Sequence, residues 1–310
     1  MDLSNIFSRW TSQSSKDIYL GKDDRQLQPQ LIWSQASCLA TGLVGLGLQP
    51  GEGVLVWMRS VPEVLVAFVA VQLAGGCFVP APQSLNIDDL VKLVDQSRSA
   101  MAIISLDLYD RYHEMETKLK SVRDLVVDAG EASAETTLPS NARSLTPMLM
   151  VGRDVTLPDI ESHTRSLYYI PKGTDKPVEI VREEGRWSGA VEAAENSFKK
   201  GETVLNMADL AQPEALLLGA LWPLLAGASV VVHDPNDLQI DSLMKEKKPN
   251  TLVLDADSAA VFLENSSGAE VSRVLWCCLG IEKVSERLSK LLGAQVLPLK
   301  DAADPAGLFT

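Results

Sequence analysis

The sequence predicts an α/β protein made of two parallel-sheet halves, each flanked by helices. Three observations carry that expectation. β-Branched runs alternate with helix-period segments almost throughout, and parallel strands need a crossover helix to return. Apolar helical stretches stop on Ala74-Gly75-Gly76 and on Ala226-Gly227, each followed at once by a buried strand-like run. Between residues 129 and 157 the composition shifts to Ser, Thr, Ala, Pro and Glu without apolar periodicity, which separates a patterned stretch on either side.

Taken in order, a helix is expected over Trp33 to Leu46 and a buried strand over Val54 to Met58. Pro62 suits a first helical turn and opens an apolar helix to Leu73, and a strand follows over Cys77 to Val79. Asn86 is placed to cap a helix from Ile87 to Gln96, with Asp88 and Asp89 favouring its N-terminal dipole. Strands follow at Met101 to Ser105 and Leu125 to Asp128. Residues 1–128 thus read as a first α/β subdomain, 129–160 as a linker or surface excursion, and 161–310 as a second subdomain. The second begins with a strand at Ser166 to Ile170, a hairpin arm at Val178 to Arg182 and a helix from Trp187 to Phe198. Helix Pro213 to Leu225, strand Ala228 to Val232, helix Leu238 to Lys245, strand Thr251 to Leu254 and helix Ala256 to Leu263 come next. Strand Val271 to Cys277, helix Lys283 to Leu292 and strand Gln295 to Leu299 complete the series. An internal echo links Val71 to Pro80 with Pro223 to Val232, since each runs from helix through an Ala-Gly stop to a strand.

Composition narrows the function. With 41 acidic and 28 basic residues the formal charge is 28 − 41 = −13, which argues against a phosphate backbone or an anionic membrane as the main partner. The N-terminal Met1 to Trp10 carries Asp2 and Arg9 and lacks a signal-peptide core, and apolar runs elsewhere are interrupted, so a cytoplasmic protein without a membrane span is expected. Cys38, Cys77, Cys277 and Cys278 form no CxxC pair and fit reduced thiols. His113, His163 and His233 stand apart, so no metal site is expected. His233 ends an apolar run, as a solvated strand end or a group at a loop mouth. No nucleophile elbow, phosphate-binding GxxxxGK[ST] or strand-linked GxGxxG occurs; Gly45-Leu46-Gly47 closes a helix rather than opening one.

The stretch Leu31 to Ser105 resembles the opening of the adenylate-forming (AMP-binding) superfamily of acyl-CoA synthetases and peptide-synthetase adenylation domains. The resemblance is carried by Gly47-Leu-Gln-Pro-Gly-Glu-Gly-Val54, by Pro62-Glu63 leading a helix to Leu73, and by Leu73-Ala-Gly-Gly-Cys-Phe-Val-Pro80. Glu214 to Val232 and Lys283 to Leu299 extend it towards the C-terminus. It implies the two pseudo-repeated subdomains of that superfamily's N-terminal domain, use of ATP or AMP with Mg2+, and an acyl, aryl or aminoacyl carboxylate as substrate. A carrier protein or an active homologue is the protein partner it suggests.

In this superfamily a small-residue loop grips the triphosphate, because glycine lets backbone donors approach and hydroxyls add further bonds. The matching segment is Tyr169-Ile-Pro-Lys-Gly-Thr-Asp-Lys-Pro-Val-Glu179, so Tyr169, Lys172, Gly173, Thr174 and Lys176 are the remnant nucleotide-loop residues. Pro171 replaces a serine, Lys172 and Asp175 replace glycines, and Val178 and Glu179 replace a lysine and a glycine. Pro171 has no amide proton, Asp175 adds negative charge and Val178 removes a cation. After Gln295 to Leu299 no Thr-Glu pair occurs, leaving Asp301 and Asp304 as loop carboxylates or cation ligands. The family's ribose-binding aspartate and small C-terminal domain are not matched before Thr310. A degenerate, non-catalytic ligand-binding or interaction module without catalytic residues is therefore expected. An ATP-dependent ligase that is a fragment, or is completed by another chain, is the competing expectation. Asp209, in the segment Asn206 to Ala215 that resembles an acyl-pocket wall, could meet a substrate amine, cap a helix or stand exposed to solvent. Trp222 and Trp276 could line that pocket or fill the core, and Cys277 and Cys278 could be reactive or buried.

Overall fold

The computed structural model describes residues 27–130, 138–171, 176–182, 186–233, 240–266, 271–276, 288, 291–292 and 295–298. The chain divides into two compact units. One comprises Gln30–Arg59 and Glu63–Glu184; the other runs from Gly185 onward and takes in Met1–Pro29 and Ser60–Pro62.

The first unit opens with α1 (Pro29–Gly45) and continues through β1 (Gly53–Trp57), α2 (Pro62–Leu73), β2 (Cys77–Pro80), α3 (Ile87–Ser97), β3 (Ser99–Ser105), α4 (Tyr109–Met115) and β4 (Asp124–Asp128). β5 (Ala142–Ser144), α5 (Leu145–Met150), β6 (Arg165–Tyr169) and β7 (Val178–Val181) follow. Among the described residues its strands form one sheet in the order β5-β4-β3-β1-β2-β6-β7. Strands β5 to β6 are parallel across this sheet, and β7 runs antiparallel to β6. Every residue of β1, β2 and β3 is buried, as expected of strands covered on both faces. Asn86 caps α3 as the sequence suggested, its side-chain oxygen accepting the Asp89 N–H at 2.9 Å. Leu55, Trp57, Val79, Leu93, Ile104 and Val127 sit in one buried cluster beneath α3 and α4.

The second unit contains α6 (Arg186–Ser197), β8 (Thr203–Asn206), α7 (Pro213–Leu216), α8 (Trp222–Leu225), β9 (Ser229–Val232), α9 (Ile240–Lys247), β10 (Thr251–Leu254), α10 (Ala256–Asn265), β11 (Arg273–Trp276) and β12 (Gln295–Pro298). A π turn, Leu217–Leu221, joins α7 to α8. Its described strands form a parallel sheet in the order β12-β11-β10-β8-β9 over a core that includes Leu205, Val231, Leu252, Phe262 and Leu288.

Numbered from its own first strand, each sheet contains the order 5-4-3-1-2. The likeness extends to single hydrogen bonds. The Gly51 N–H donates to Gly75 O at 2.8 Å and the Gly201 N–H to Gly227 O at 3.0 Å. The Cys77 N–H donates to Glu52 O at 2.8 Å and the Ser229 N–H to Glu202 O at 2.7 Å. All four of these glycines have φ between 78° and 85°, the left-handed region that glycine enters without steric cost. Pseudo-repetition, which the echo around Ala74-Gly75 and Ala226-Gly227 suggested, is thus present bond by bond.

Some elements differ from expectation. β6 and β7, assigned by the sequence to the second half, are strands of the first sheet, where β6 adds parallel to β2. Nothing in a strand's own residues says which sheet it joins. Within the stretch read as a surface excursion lie β5, paired with β4, and α5; three and six residues are too short to show a period. β8 was not foreseen, for the same reason. The expected helix Lys283 to Leu292 lies almost wholly outside the described residues.

Candidate site on the strand pair flanking the altered loop

The loop singled out by the sequence joins β6 to β7. The antiparallel register pairs Tyr169 with Val178, Tyr168 with Glu179 and Leu167 with Ile180, so the pairing ends at Tyr169 and Val178. Tyr169 is buried and Pro171 half-buried, while Lys176 is exposed just ahead of β7. Lys172, Gly173, Thr174 and Asp175 lie outside the described residues.

Two arginines anchor this strand pair. Arg165, on β6, donates through Nε to Glu179 Oε2 at 2.8 Å across the pair and through NH1 to the Ser97 carbonyl at 2.8 Å. Its guanidinium also stands 5.4 Å from the centroid of the Tyr168 ring, and the Tyr168 hydroxyl donates to Gln96 Oε1 at 3.2 Å. Glu179, which replaces a loop glycine of the resembled family, therefore bridges to β6 and so ties the two strands together. Arg182, just past β7, donates to the main-chain oxygen of Gln72 at the end of α2 and, at 3.3 Å, to Gln72 Oε1. Gln72 and Ser166 exchange two further bonds: Gln72 Nε2 donates to Ser166 O at 2.8 Å, and Ser166 Oγ donates to Gln72 Oε1 at 2.7 Å. Both are buried, at 1% and 9% exposure. Burial pulls the Arg182 guanidinium down to about 10. Next to this network, desolvation pushes the Cys77 thiol up to about 12, which leaves it a protonated packing group.

A triphosphate with Mg2+ needs converging backbone donors, cations and a carboxylate held ready for the metal. Of the described residues of this segment, Pro171 supplies no N–H, Val178 supplies no charge, and the Glu179 carboxylate is paired with Arg165. Among the described residues no group of three His, Cys, Asp or Glu side chains could hold a metal ion. A shallow open groove of ≈ 620 Å³ lies at the N-terminus of α3. Asp88, Asp89 and Glu114 outnumber Lys92 and Arg111 around it, which disfavours a polyphosphate there.

In the second unit Asp209 builds a turn. Its Oδ1 accepts the Ala211 N–H at 2.9 Å, its carbonyl accepts the Gln212 N–H at 2.8 Å, and its own N–H donates to Asp255 Oδ2 at 3.3 Å. Asp209 therefore caps no helix, since Gln212 is the residue that precedes α7, and it is half-buried, not solvent-exposed. Asp255 is itself buried and caps α10 in a reciprocal pair with Ser258. His233 is only 5% exposed, and its N–H donates to Asn206 O at 2.9 Å, so it is not the solvated strand end foreseen. The cause is β8, the unforeseen strand, which pairs beside it. Trp222 is fully buried, in keeping with core packing. Cys277, Cys278, Asp301 and Asp304 lie outside the described residues, as does the side chain of Trp276.

The buried Gln72–Ser166–Arg182 network was missed from the sequence. Gln72 in an otherwise apolar helix, Val64-Leu-Val-Ala-Phe-Val-Ala-Val-Gln-Leu73, was the available signal.

Comparison with known proteins supplies the wider setting. A family model described as "AMP-binding enzyme" matches residues 7–294. Triostin synthetase I of Streptomyces triostinicus is 28% identical over 240 residues, covering 72% of this chain and 43% of that protein. Enterobactin synthase component E of Escherichia coli is 24% identical over 325 residues, covering 96% of this chain and 56% of that protein. The chain therefore spans about half the length of these curated relatives. Among solved structures, coronafacic acid ligase from Pectobacterium brasiliense superposes with a TM-score of 0.77 at 16% identity, covering 96% of this chain and 60% of that one, a likeness of fold.

Proposed function

Because this chain belongs to the AMP-binding enzyme family, we propose that it keeps the scaffold of an adenylate-forming ligase as a ligand-binding or protein-interaction module and is not an autonomous catalyst. One observation carries the proposal: the loop segment has exchanged small donor residues for Pro171, Asp175, Val178 and Glu179, and Glu179 is held in an ion pair with Arg165. Adenylation requires a carboxylate to attack the α-phosphate in line while the pyrophosphate charge is stabilised. A proline and two added carboxylates work against that stabilisation, whereas the sheets, glycine stops and buried helices are intact. The ligand class in keeping with the family is an acyl or aryl carboxylate or its adenylate, and the protein partners in keeping with it are a carrier protein or an active relative. No helix among the described residues is long and apolar enough to cross a membrane. The cytoplasm is the proposed location.

The test is calorimetric titration of the full chain with ATP-Mg and, separately, with a non-hydrolysable acyl-adenylate mimic, alongside pyrophosphate exchange across a panel of carboxylates. Binding of the mimic with exchange at background is expected; exchange above background with any carboxylate would overturn the proposal.

A second reading is an ATP-dependent carboxylate-activating ligase whose remaining parts are carried elsewhere. It is favoured by the shares of 43% and 56% that this chain covers of its curated relatives. Under that reading, exchange appears once a polypeptide supplying the rest of the ligase is added in trans. Continued silence with such a complement would remove it.

A further inference from the structure

The repeat lets the charge on one unit be compared with the charge on the other, position by position. Gly201 follows Gly51 by 201 − 51 = 150 positions, at the turn that enters the first strand of each unit. The turns match in detail: the Gln49 N–H donates to Glu52 Oε2 at 2.8 Å, and the Lys199 N–H donates to Glu202 Oε2 at 2.9 Å. A second pair of turns enters the neighbouring strands, β3 and β10. Arg98 and Lys248, also 150 positions apart, hold the left-handed residue there with φ of 55° and 44°. At four positions of these turns the first unit has Gln49, Pro50, Asp95 and Arg98, and the second has Lys199, Lys200, Lys245 and Lys248. The charges of Asp95 and Arg98 cancel, whereas the lysines all add. Cations suit the C-terminal ends of helices such as α6 and α9, but α1 and α3 end at the matching places without them, so the helix dipole does not account for the difference.

We propose that Lys199, Lys200, Lys245 and Lys248 form a docking surface for an acidic segment of another polypeptide. The two turns that carry them are held side by side. The Thr203 N–H donates to Asn250 Oδ1 at 2.9 Å, the Asn250 N–H donates to Thr203 O at 2.8 Å, and β8 and β10 pair in parallel just beyond. All four lysines are exposed, and among the described residues none of them forms an ion pair. The carboxylates next to them in sequence are engaged: Glu202 holds Arg273 at 3.0 Å and Glu246 holds Lys247 at 2.7 Å. Like charges gathered without counterions repel one another, and an incoming carboxylate-rich chain relieves that repulsion. Neighbouring strands lie about 5 Å apart, so the patch is the width of one short peptide rather than of an extended polyanion. The net charge of −13 sharpens this choice, since a nucleic acid or an anionic bilayer would meet the whole negative chain and an acidic segment only the patch. The surface lies in a different unit from the altered loop and is independent of whether that loop grips a nucleotide.

The probe is a fluorescently labelled glutamate decamer, with a glutamine decamer as its neutral counterpart, and binding to the full chain is read by anisotropy. The glutamate peptide is expected to bind at low salt and to weaken roughly tenfold at about 0.15 M salt, while the glutamine peptide does not bind. Replacing Lys199, Lys200 and Lys245 together by Gln should weaken binding by about tenfold with the thermal midpoint unchanged. The charge-matched comparison replaces Arg98, Lys118 and Lys120 by Gln, all exposed on the first unit, and should leave affinity within about twofold. Equal loss in the two triple variants would overturn the docking surface, by showing that net charge and not place governs binding. No binding of the glutamate peptide at low salt would overturn it as well. A thymidine decanucleotide or anionic vesicles binding as tightly as the peptide would overturn the class of partner. If the triple lysine variant does not fold, Lys200→Glu decides alone: about fivefold weaker binding supports the surface and unchanged binding removes it.

Discussion

The first unit carries its repeat with an added strand pair held by buried polar groups, while the second carries the same repeat with one extra residue in its helix. The extra residue can be counted. Pro213-Glu214 follows Pro62-Glu63 by 213 − 62 = 151 positions, whereas Gly227 follows Gly75 by 227 − 75 = 152. Between those points the second helix contains the π turn Leu217–Leu221 and the first contains unbroken α-helix. A π turn is how a helix absorbs one residue without changing where it starts and stops. The lesson is that the ends of the repeat, fixed by glycine stops and strand register, tolerate less change than the helix between them. In the first unit the change was added outside the repeat; in the second it was absorbed within it.

The most severe way to break that comparison is Gly219→Ala, in the π turn. An added Cβ would stand 2.4 Å from Cγ of Asn206 and 2.6 Å from its Oδ1. Asn206 cannot retreat, because it is fully buried at the end of β8 and its Oδ1 accepts the Ala208 N–H at 3.0 Å. A loss of about 3 kcal/mol is expected, at the upper end of overpacking costs. Urea denaturation measures it, and Gly219→Ala with Asn206→Ala should recover part of the loss. In the first unit the opposite exchange, Ala67→Gly, should cost about 1 kcal/mol through helix propensity. Near-neutral Gly219→Ala would mean that the π turn is free to shift and does not register the helix against β8.

A middle-sized effect sharpens the comparison. In both units a glutamate just before the first strand bonds an arginine at the fourth, and 202 − 52 and 273 − 123 both equal 150. Arg123 NH2 reaches Glu52 Oε2 at 2.6 Å, and Arg273 NH2 reaches Glu202 Oε2 at 3.0 Å. The shorter pair is the more exposed: side-chain exposures are 42% and 30% in the first unit against 22% and 16% in the second. Arg273 also donates to Thr251 Oγ1 at 2.9 Å and covers the Phe198 ring at 4.9 Å. Arg123 is bidentate to Glu52 and also donates to Gly47 O at 2.9 Å, so burial, not the number of partners, should outweigh the shorter distance. Arg273→Ala is expected to cost about 2 kcal/mol and Arg123→Ala about 1 kcal/mol or less, by denaturant melts. The Arg123 hydrogen bond holds the Glu52 carboxyl below its ordinary range. A depressed carboxylate stabilises the fold above its unfolded pKa and loses that contribution as pH falls through the folded one. The gap in Tm between wild type and Arg123→Ala should therefore narrow as pH drops below about 4. A gap that widened in acid would contradict this assignment.

The repeat was legible in the sequence where its residues are punctuation. The Ala-Gly stops, Pro62, Asn86 and the apolar runs announced their elements because each acts through its own backbone or side chain. Strand partnership was not legible: Arg165 to Tyr169 reads as a strand, but its place beside β2 depends on Phe78 and Leu167 meeting across 89 positions, 167 − 78. The altered loop was recognisable residue by residue, and the role of Glu179 was not. From the sequence it is a charge in a glycine's place; only the β6–β7 register brings it to Arg165. Gln72 was visible as an amide in an apolar helix, but its two partners lie 94 and 110 residues away.

The smallest expected effect bears on the stops themselves. Gly75 and Gly227 share φ of 78°, so alanine at either position is strained by about 1 kcal/mol. Their surroundings separate them. A Cβ at Gly75 would meet Cγ1 of Ile160 at 3.3 Å, with Cδ1 of Ile160 and Cγ of Pro158 both at 3.6 Å, which are stiff neighbours. A Cβ at Gly227 would meet Cγ of Lys200 at 3.3 Å, part of a flexible chain that can swing away. Gly75→Ala should therefore lower stability by a few tenths of a kcal/mol more than Gly227→Ala, within the usual spread of such substitutions. Paired thermal melts resolve a difference of that size as a shift of about 1 °C or less for a chain this long. If Gly227→Ala proves the costlier, backbone strain is not shared equally by the two stops, and the second unit depends on its Ala-Gly turn more than the first does.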